Sequence, residues 1–518
     1  MTEPRPIPFE RFGSLRLDQS IDEVSPSEAI LFQDMDWNDA QMGSLRQRGG
    51  AAAWSDEAAE ETGRLIPHLG RTTRRFMAHV GNKKVIAYNV TGKAKEEVTY
   101  ETTGLLGYSF FATPTADFTY ICGDSGKKVL RYADATGTFS EPTATVDGVA
   151  GKAMPKPAFL IAWPEGDNRM IALSGASGKF GPGEAETTYS HAWLSDAGNA
   201  ESWHTVAPEA NYLQLSPGDG ERFTGGCVWN GQAFIFKKTR MFVLYSVDED
   251  SEGAPIFNYR TVELGTEIAN ESAKELVDNC CIPTREGVVF LSSDGIYITT
   301  GGTPVNLAGA LDPLGRAGKV IGPAGEEGTG FANLNEFPFT VFYGLAYTPW
   351  EGRLYAFSEG LILVYDFDRR AWLTRSAKLK SMAVSNVSPT APVLNSLYLS
   401  SGKRIYKVLA RETADPTVTV KPVWQSGFYG LELPDEKTLD EAEVLGSGKG
   451  VTVSGLIDLE TKVGFKDEVT FNGSRARLYE AQTGALFSHR IEITKEGSYV
   501  NRLVRYLRET ETAGSESP

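Results

Sequence analysis

Histidine and cysteine are scarce in this chain, whose 518 residues include five histidines and four cysteines. No two histidines have the i, i+4 spacing of a helical zinc site, and no cysteine lies beside a histidine at ligand spacing. We therefore expect no metal centre and no bound cofactor. The cysteines are also too few for a disulfide scaffold. We expect all four to be reduced and in or near the core: Cys122, Cys227, Cys280 and Cys281.

Basic residues are outnumbered, with 51 Lys and Arg against 67 Asp and Glu and a formal net charge of −16. This balance opposes nucleic-acid binding and attraction to anionic lipid. Apolar stretches are too interrupted to span a membrane. Residues 1–13 contain three prolines and lack the apolar segment of a secretory signal. The sequence therefore predicts cytoplasmic synthesis and no membrane span.

Complete catalytic motifs are missing as well. Residues 445–450 are similar to a phosphate-binding loop, but Glu443 stands at the leading glycine position and Gly450 follows the lysine. We interpret this run as a hairpin turn. Residues 174–178 lack the flanking glycines of a nucleophilic serine turn. Because no nucleophile is found with its base, we expect no enzymatic activity.

Two acidic segments leave alternatives open. Residues 248–253 are rich in carboxylates that could bind Ca²⁺, but the distal Glu spacing of an EF-hand is missing, which favours a solvated loop. Residues 195–198 followed by Trp203 approach the aspartate-box turn of sialidase-like propellers, with the Asp too close to the Ser and the Trp too late. Even a true aspartate box would be structural, so it supplies no catalytic residue.

Short apolar runs separated by turn residues are abundant from about residue 63 to residue 413. Residues 288–291 and 296–298 flank a turn that contains Asp294 and Gly295, which predicts a tight hairpin. Residues 233–236 and 241–245 repeat the pattern around a polar turn. Residues 344–365 predict a three-stranded meander that is followed by Trp372. Similar units appear at residues 85–90, 118–132, 159–173 and 397–408.

The repetition of these units predicts an all-β fold with a β-propeller over residues 61–415. Each meander cannot cover its own faces and must stack on its neighbours around an axis. A β-sandwich or a barrel is the competing interpretation. Longer alternating segments over residues 416–508 predict a separate C-terminal β-domain, sandwich-like, and residues 509–518 predict a mobile acidic tail.

The first 60 residues differ in composition, with five arginines against twelve acidic residues. We interpret residues 1–60 as an extended acidic N-terminal arm, with an ordinary N-terminal subdomain as the alternative. Within it, residues 25–28 predict the cap of a short helix over residues 29–32. Apolar residues in the arm need a covering surface, and arginines and lysines follow it directly. These features suggest docking onto another subunit. The candidate assembly contacts are Phe12, Trp37, Arg46, Arg48, Arg74 and Arg75.

The order of these features resembles a known family. Its N-terminal motifs match residues 12–15, Asp22, 27–31 and 42–49, with Gln33 or Asp34 where the family often has Asn. Further matches are residues 193–196, Trp203, 218–219, 234–237, 294–297, 301–302, 365–366, Trp372, 424–427, 435–437 and 446–453. Together they resemble the propeller-bearing nozzle or minor tail proteins of tailed bacteriophages.

The resemblance implies a virion structural protein of the phage tail. It implies a homo-oligomeric ring, with a hexamer as the expected state, at the distal tail through which the genome is ejected. Implied partners are further copies of the chain, tail adaptor or tail tube proteins, and tail fibres. DNA would pass without specific binding, in keeping with the acidic balance. The implied location is the virion, after assembly in the host cytoplasm. The alternatives are a propeller that binds or cleaves glycans and a generic propeller scaffold.

Overall fold

The structure, a computed structural model, is built almost entirely from β-strands. Within the part of the chain that it describes, the helical segment is a single 3-10 turn at Gly309–Leu311. The described residues are 5–9, 12–16, 24–37, 44–70, 75–89, 91–102, 106–123, 128–173, 190–205, 211–249, 255–268, 280–311, 339, 342–385, 396–408, 422–426, 437–457, 463–472, 474–484, 486–495 and 498–509. The expectation of an all-β fold is confirmed for these residues.

The N-terminal segment supplies five strands, and two antiparallel sheets follow it. The N-terminal strands are β1 (Arg5–Phe9), β2 (Ala29–Gln33), β3 (Met35–Trp37), β4 (Leu45–Gln47) and β5 (Ala51–Ala53). Unit 1 contains β6 (Thr62–His68), β7 (Arg75–Val80), β8 (Lys84–Tyr88) and β9 (Ala94–Thr99). Unit 2 contains β10 (Leu106–Ala112), β11 (Asp117–Gly123), β12 (Leu130–Ala133) and β13 (Thr138–Ser140).

The middle of the chain forms three more units. A hairpin of β14 (Thr143–Val146) and β15 (Val149–Ala153) joins unit 3, which contains β16 (Phe159–Trp163), β17 (Arg169–Leu173), β18 (His191–Asp196), β19 (Asn199–Trp203) and β20 (Tyr212–Gln214). Unit 4 contains β21 (Phe223–Trp229), β22 (Gln232–Lys237), β23 (Arg240–Glu249) and β24 (Pro255–Glu263). Unit 5 contains β25 (Cys281–Pro283), β26 (Val288–Leu291), β27 (Ile296–Thr299) and β28 (Val305–Asn306).

Two further units and seven C-terminal strands complete the described chain. Unit 6 contains β29 (Gly344–Thr348), β30 (Arg353–Phe357), β31 (Leu361–Asp366) and β32 (Ala371–Ser376). Unit 7 contains β33 (Ser381–Ser385), β34 (Ser396–Ser401) and β35 (Arg404–Val408). The C-terminal strands are β36 (Val423–Ser426), β37 (Lys437–Ser447), β38 (Val451–Ile457), β39 (Val463–Glu468), β40 (Arg475–Gly484), β41 (Phe487–Ile493) and β42 (Tyr499–Glu509).

The first strands of units 1 to 7 lie side by side in a cycle. Each contacts the first strand of the next unit, from β6 through β10, β16, β21, β25 and β29 to β33, and β33 contacts β6. Neighbouring units are joined by apolar clusters, such as the one that contains Ile66, Met77, Ile121 and Tyr132 between units 1 and 2. Each sheet is therefore covered by its neighbours rather than by a layer of helices.

Close packing along this cycle requires glycine at some positions. A β-carbon added to Gly226 on β21 would lie 2.4 Å from Ile161 Cδ1 and 2.6 Å from the carbonyl oxygen of Phe234. One added to Gly107 on β10 would lie 3.1 Å from the carbonyl oxygen of Ala158, directly before β16 of unit 3. The missing side chain at these two positions lets strands of adjacent units approach each other.

Unit 7 is completed by the other end of the chain. Strand β5 pairs antiparallel with β35, with Ala53 opposite Tyr406 and Ala51 opposite Val408. Trp54 follows β5 directly, and its backbone N–H donates to the carbonyl oxygen of Ile405 at 2.9 Å. The segment that directly precedes unit 1 is therefore hydrogen-bonded to unit 7, the last unit of the cycle.

The remaining N-terminal strands pair with C-terminal strands. Strand β2 lies between β32 and β36, which links unit 6 to β36, β41, β38 and β39 in a nine-stranded sheet. Strands β1, β3, β4, β37, β40 and β42 form a second, six-stranded sheet. In the part of the chain that the structure describes, residues 1–60 thus contribute strands to three sheets rather than forming a separate extended arm.

Several hairpins predicted from the sequence are confirmed. Strands β26 and β27 pair around Asp294 and Gly295, and β22 and β23 pair around the polar turn that follows Phe236. Strands β29, β30 and β31 form the predicted meander. The four cysteines are free and buried, as expected.

Two local predictions are wrong. Residues 29–32 form strand β2 instead of a helix, because all five β2 residues are buried between β32 and β36, and pairing with both overrides local propensity. Residues 445–450 do not close a hairpin. Strand β37 pairs with β40 and β42, while β38 pairs with β39 and β41, so this turn carries the chain from one sheet to the other.

We predict that Trp54→Ala destabilises the protein by about 2 to 4 kcal/mol. The indole packs edge-on against Phe76 and Tyr398, with ring centroids 5.8 and 5.2 Å away, and thus bridges units 1 and 7. Urea unfolding followed by tryptophan fluorescence and far-UV circular dichroism measures the change. Trp350→Ala is the matched control, because Trp350 is 44% exposed, and it should change stability by less than about 0.5 kcal/mol. Equal losses in the two variants would contradict a bridging role for Trp54.

Candidate functional site

A cavity of about 260 Å³ lies where the first strands of units 1 to 7 meet. All seven of these strands contribute lining residues, most of which are apolar in type, while polar and apolar atoms contribute about equally to the exposed surface of the cavity. Concave, mostly apolar cavities with a few polar groups are typical of small-molecule sites. Among the described residues that line the cavity, Arg64 is the one with a formal charge at neutral pH.

Arg64 lies in an irregular part of β6 and lines the cavity. The pairing register between β6 and β7 shifts between Thr62 and Leu65, and both Arg64 and Leu65 line the cavity although they are adjacent in sequence. In regular strands, adjacent side chains point to opposite faces. Adjacent residues of the regularly paired strands β10, β29 and β33 also line the cavity, so the adjacency of Arg64 and Leu65 does not by itself result from the register shift.

Side chains of unit 7 secure this bulge. The backbone N–H of Leu65 donates to Ser381 Oγ at 3.2 Å, and Ser400 Oγ donates to the carbonyl oxygen of Gly63 at 2.7 Å. Both serines are buried. The hydrogen bonds replace ladder pairing that the bulge interrupts, so the position of Arg64 depends on the contact between units 1 and 7.

The Arg64 guanidinium carries its charge in a desolvated environment. Burial lowers the pKa of Arg64 to about 10, although the neighbouring Tyr108 hydroxyl and Cys122 thiol act in the opposite direction. The guanidinium carbon lies 5.3 Å from the centroid of the Tyr108 ring, within cation–π range. At neutral pH Arg64 is therefore a protonated, buried cation beside an aromatic ring.

Cys281, which lines the cavity, and Cys122, which lies near Arg64, are kept as thiols. Burial raises the pKa of Cys122 to about 12. Burial and the neighbouring Cys227 and Cys280 thiols raise the pKa of Cys281 well above its ordinary value. The thiolate is the nucleophilic form of cysteine. Cys122 and Cys281 are therefore not poised for nucleophilic chemistry.

A Thr–His–Asp arrangement that the sequence did not reveal joins units 1 and 2. His68 Nδ1 lies 2.8 Å from Thr119 Oγ1, and His68 Nε2 lies 3.3 Å from Asp134 Oδ1. The exposed fractions are 0% for His68 and Thr119 and 3% for Asp134. A hydroxyl without solvent access cannot reach a substrate, so we interpret the group as a structural contact. Its members are 51 and 66 residues apart, and no spacing in the sequence indicates their proximity.

A second polar contact joins units 3 and 4. Lys237 Nζ donates to both carboxylate oxygens of Asp219 at 2.9 and 2.8 Å, to Ser190 Oγ at 3.0 Å and to the carbonyl oxygen of Ser216 at 3.2 Å. Burial lowers the pKa of Lys237, and the hydrogen bond and charge of Asp219 oppose this shift. All three ammonium protons have acceptors, so Lys237 holds loops in place rather than acting as a free amine.

Buried charges also connect the N-terminal strands with unit 6. Asp34 Oδ1 accepts hydrogen bonds from Arg48 Nε and from the backbone N–H of Ser376, both at 2.8 Å, and Oδ2 accepts from Ser376 Oγ at 2.7 Å. Arg48 Nη2 also donates to the carbonyl oxygen of Ser376 at 2.9 Å. Asp34 is 0% exposed and has a φ of 51°, a left-handed conformation that Asp tolerates better than most residues.

Asp36 forms the second part of this buried group. Its Oδ2 accepts from Arg353 Nη1 at 2.9 Å and from Arg375 Nη2 at 3.1 Å, and Arg353 Nε donates to Asp366 Oδ2 at 3.2 Å. Burial alone raises the pKa of Asp36, but the charges of Arg353 and Arg375 outweigh it, so the pKa lies below its ordinary value of 3.8. We name the buried, mutually hydrogen-bonded residues around Asp34 and Asp36 the ionic junction: Asp34, Asp36, Arg48, Arg353, Asp366, Arg375 and Ser376.

Most of the candidate assembly contacts of the N-terminal segment have side chains that pack against other parts of the same chain. Phe12 packs edge-on against Trp424 at 5.0 Å, and Trp37 Nε1 donates to the carbonyl oxygen of Phe12 at 3.0 Å. Phe12, Trp37 and Arg48 are at most 5% exposed. These three side chains contact their own chain, which corrects the expectation that they meet a neighbouring subunit. The C-terminal strands and unit 6 supply the covering surface that the sequence required.

The other candidate contacts are placed differently. Arg46 is half-buried on β4, opposite Asp36 on β3. Arg75 lies on β7 opposite His68, and only its backbone is described. Arg74 lies outside the described residues. The structure therefore brings Arg46 beside the ionic junction, and the candidates whose side chains are described do not share one exposed surface.

Aspartates at the predicted turns have structural partners. Asp294 accepts hydrogen bonds from Thr266 Oγ1 at 2.5 Å, Ser292 Oγ at 2.7 Å and the Tyr297 hydroxyl at 3.2 Å. These bonds outweigh the effect of burial and lower the pKa of Asp294. Asp196 lies 3.4 Å from His204 Nε2, and Asp366 belongs to the ionic junction. Each carboxylate is thus engaged within its own chain.

The two remaining motifs fall mostly outside the described residues. Asp248 and Glu249 end strand β23, while residues 250–253, the rest of the possible Ca²⁺ segment, are not described. Residues 174–178 are also outside the described ranges. Among residues whose placement is given, no group of three or more His, Cys, Asp or Glu side chains could hold a metal ion. A search of the same residues finds no helix long and apolar enough to cross a membrane.

We predict that Asp34→Ala destabilises the protein by about 3 to 5 kcal/mol, because it leaves the buried Arg48 charge without this partner. Urea unfolding at neutral pH measures the loss. The matched control is Glu57→Ala, which removes a carboxylate from the exposed pair with Arg404 and should cost less than about 1 kcal/mol. A loss for Asp34→Ala as small as that of the control would contradict the role of the ionic junction.

We predict that Asp36 makes stability sensitive to acid. Its pKa is lowered in the folded protein, so its contribution is fully present above the unfolded value near 4 and is lost as the pH falls through the lower, folded value. Unfolding free energies measured between about pH 6 and pH 2.5 should fall less steeply for Asp36→Asn than for the unsubstituted protein. Identical pH profiles would show that Asp36 is not held ionised by its arginine partners.

Comparison with known proteins shows little similarity. No family model and no curated protein matches the chain. A solved structure of the extracellular domain of a one-component system from B. thetaiotaomicron is similar to it, with a TM-score of 0.38 and 9% sequence identity. The match covers 84% of this chain and 54% of that structure, so the chain spans about half the length of its structural neighbour. A likeness at this level carries no conclusion about fold or function.

Proposed function

We propose that this chain is a non-enzymatic structural protein of a bacteriophage tail, built on a seven-bladed β-propeller and assembled into a ring. Units 1 to 7 are the proposed blades. The cyclic contacts of their first strands, the apolar clusters between neighbouring units and the completion of unit 7 by β5 support this interpretation. A strand exchanged between the two ends of the chain would lock the blades into one body.

The observation that carries the proposed function is the convergence of the family-like motifs. Residues 12–15 and 27–31 near the start of the chain meet residues 424–426 near its end. Strand β2 pairs with β36, Phe12 packs on Trp424, and Leu15 forms a bridge with Ala29. Motifs that resemble one family and lie about 400 residues apart in sequence form one structural unit, as expected if they belong to a common architecture.

The chemistry of the described residues also supports a structural role. The Thr–His–Asp group is fully buried, the Cys122 and Cys281 thiols have raised pKa values, and the turn aspartates bond to their own chain. The net charge of −16 suits a channel that DNA crosses without being held, because unpaired basic residues would gain free energy by releasing counterions from DNA. In this proposal the protein resides in the virion tail and contacts adaptor or tube proteins.

Assembly of the purified full-length chain tests the proposal. We predict rings in negative-stain electron microscopy and a mass in multi-angle light scattering that corresponds to several copies, with six expected. Because Phe12, Trp37 and Arg48 are buried within the chain, their substitution should weaken assembly only as far as it weakens folding. A chain that remains monomeric up to its solubility limit, alone and with purified tail adaptor protein, would refute the ring.

Glycan binding or cleavage is the competing function, and Trp350, 44% exposed, is an aromatic surface of the kind that stacks on sugars. Asp294→Ala separates the two functions. A structural protein should show a lower melting temperature, with function that follows the folded fraction, because the variant loses three hydrogen bonds. A glycan-cleaving enzyme would lose activity by about 10³ or more while staying folded. Sugar release from a glycan panel, sensitive to this substitution, would favour the alternative.

A further inference from the structure

We propose that the side chains of Lys237 and Asp219 condense into a covalent amide, an intramolecular isopeptide bond. Asp219 lies between β20 of unit 3 and β21 of unit 4, and Lys237 ends β22, so the bond would fix the connection between the two units. The proposal assigns a self-catalysed modification site to the protein. It goes beyond a structural role in the tail and does not depend on that role.

The two side chains are held together in a site with little solvent. Lys237 Nζ lies 2.9 and 2.8 Å from the carboxylate oxygens of Asp219, and the exposed fractions of the two side chains are 0% and 11%. The Phe223 and Phe242 rings flank the amine, with centroids 5.5 and 5.9 Å from Nζ. Fixing two reacting groups in place can supply an effective molarity of about 10⁵ to 10⁸ M. Condensation also removes two charges from a desolvated site, and the scarcity of water opposes hydrolysis of the amide.

The other hydrogen bonds of Lys237 orient its nitrogen for attack. The ammonium form has no lone pair, so one proton must first move to Asp219. The two N–H groups that remain can still donate to Ser190 Oγ at 3.0 Å and to the carbonyl oxygen of Ser216 at 3.2 Å. The lone pair is then left on the side of the carboxyl group. Burial favours this neutral amine because it lowers the pKa of Lys237, against the opposing effect of Asp219.

Two donors hold the Asp219 carboxyl group. The backbone N–H of Glu221 donates to Oδ1 at 3.0 Å, and Arg240 Nη1 donates to Oδ2 at 3.5 Å. Donation to Oδ1 stabilises the oxyanion of the addition step, and the Arg240 charge assists the departure of Oδ2. Removing one donor from an oxyanion site typically slows acyl transfer by roughly 10²- to 10³-fold.

The reaction balances without an added reactant. The Lys237 lone pair forms a bond to Cγ of Asp219, and the oxyanion forms on Oδ1. The bond between Cγ and Oδ2 then breaks. Oδ2 carries the proton first received from Lys237, takes a second proton from the same nitrogen and leaves as water. One ammonium and one carboxylate thus give one amide and one water molecule, with no oxidation or reduction.

Mass spectrometry of the purified full-length protein under denaturing conditions tests the bond. Most molecules should be lighter by one water than the sequence requires, and trypsin should release a branched peptide that contains both Lys237 and Asp219. Lys237→Arg should restore the full mass, because a guanidinium keeps the positive charge but does not condense with a carboxylate. The matched control is Lys128→Arg, which alters an exposed pair with Glu141 at 2.6 Å and should retain the loss of water.

A second variant and peptide mapping keep the test decisive. If Lys237→Arg does not fold, Asp219→Ala serves instead and should likewise have the full mass. A succinimide at Asp147 or Asp294, each followed by glycine, would also remove one water but would leave no branched peptide. The proposal is overturned if the folded, unsubstituted protein has the full mass, if the loss of water persists in the Lys237 or Asp219 variant, or if it maps to a succinimide.

Discussion

Pairing between the two ends of the chain is the constraint on which the rest of the structure depends. A four-stranded sheet in this chain cannot bury both its faces alone, and each of units 1 to 7 relies on a neighbour for its apolar surface. Units 1 and 7 become neighbours only when β5 pairs with β35 and Trp54 packs between Phe76 and Tyr398. Without that closure, an apolar face and an unpaired strand edge would be exposed at each end of the series. The bulge that carries Arg64 is secured by the same contact between units 1 and 7.

The ionic junction adds specificity to this closure. Burying Asp34, Asp36 and Arg353 is expensive, and the paired hydrogen bonds and opposite charges offset the cost only when all partners are present. Since Asp34 and Asp36 come from the N-terminal segment and their partners Arg353, Arg375 and Ser376 from unit 6, a misaligned N-terminal segment would leave charges buried without partners. The junction thus favours one register of β2 and β3 against unit 6, which apolar packing alone would specify less sharply.

The same arrangement explains how the acidic N-terminal segment buries its aromatic side chains within its own chain. Phe12 is covered by Trp424, and Asp34, Asp36 and Arg48 are paired within the junction. In the proposed ring, the surfaces for assembly would then have to come from residues other than Phe12, Trp37 and Arg48. The polar contacts His68–Thr119 and Lys237–Asp219 act between adjacent units in a similar way, as directional bonds between sheets that are otherwise joined by apolar contacts.

The sequence by itself determined the β-rich class, the positions of many hairpins and the burial of the cysteines. Alternation of apolar residues and turns such as Asp294-Gly295 are local signals, and hairpin pairing acts over a few residues. Only the tertiary structure decided that residues 29–32 are a strand, that β37 and β38 belong to different sheets, and that Phe12 meets Trp424. It also decided that Arg64 lines a cavity built from seven units. These outcomes depend on contacts between residues hundreds of positions apart, where burial and charge pairing outweigh local propensity and leave no pattern in the sequence.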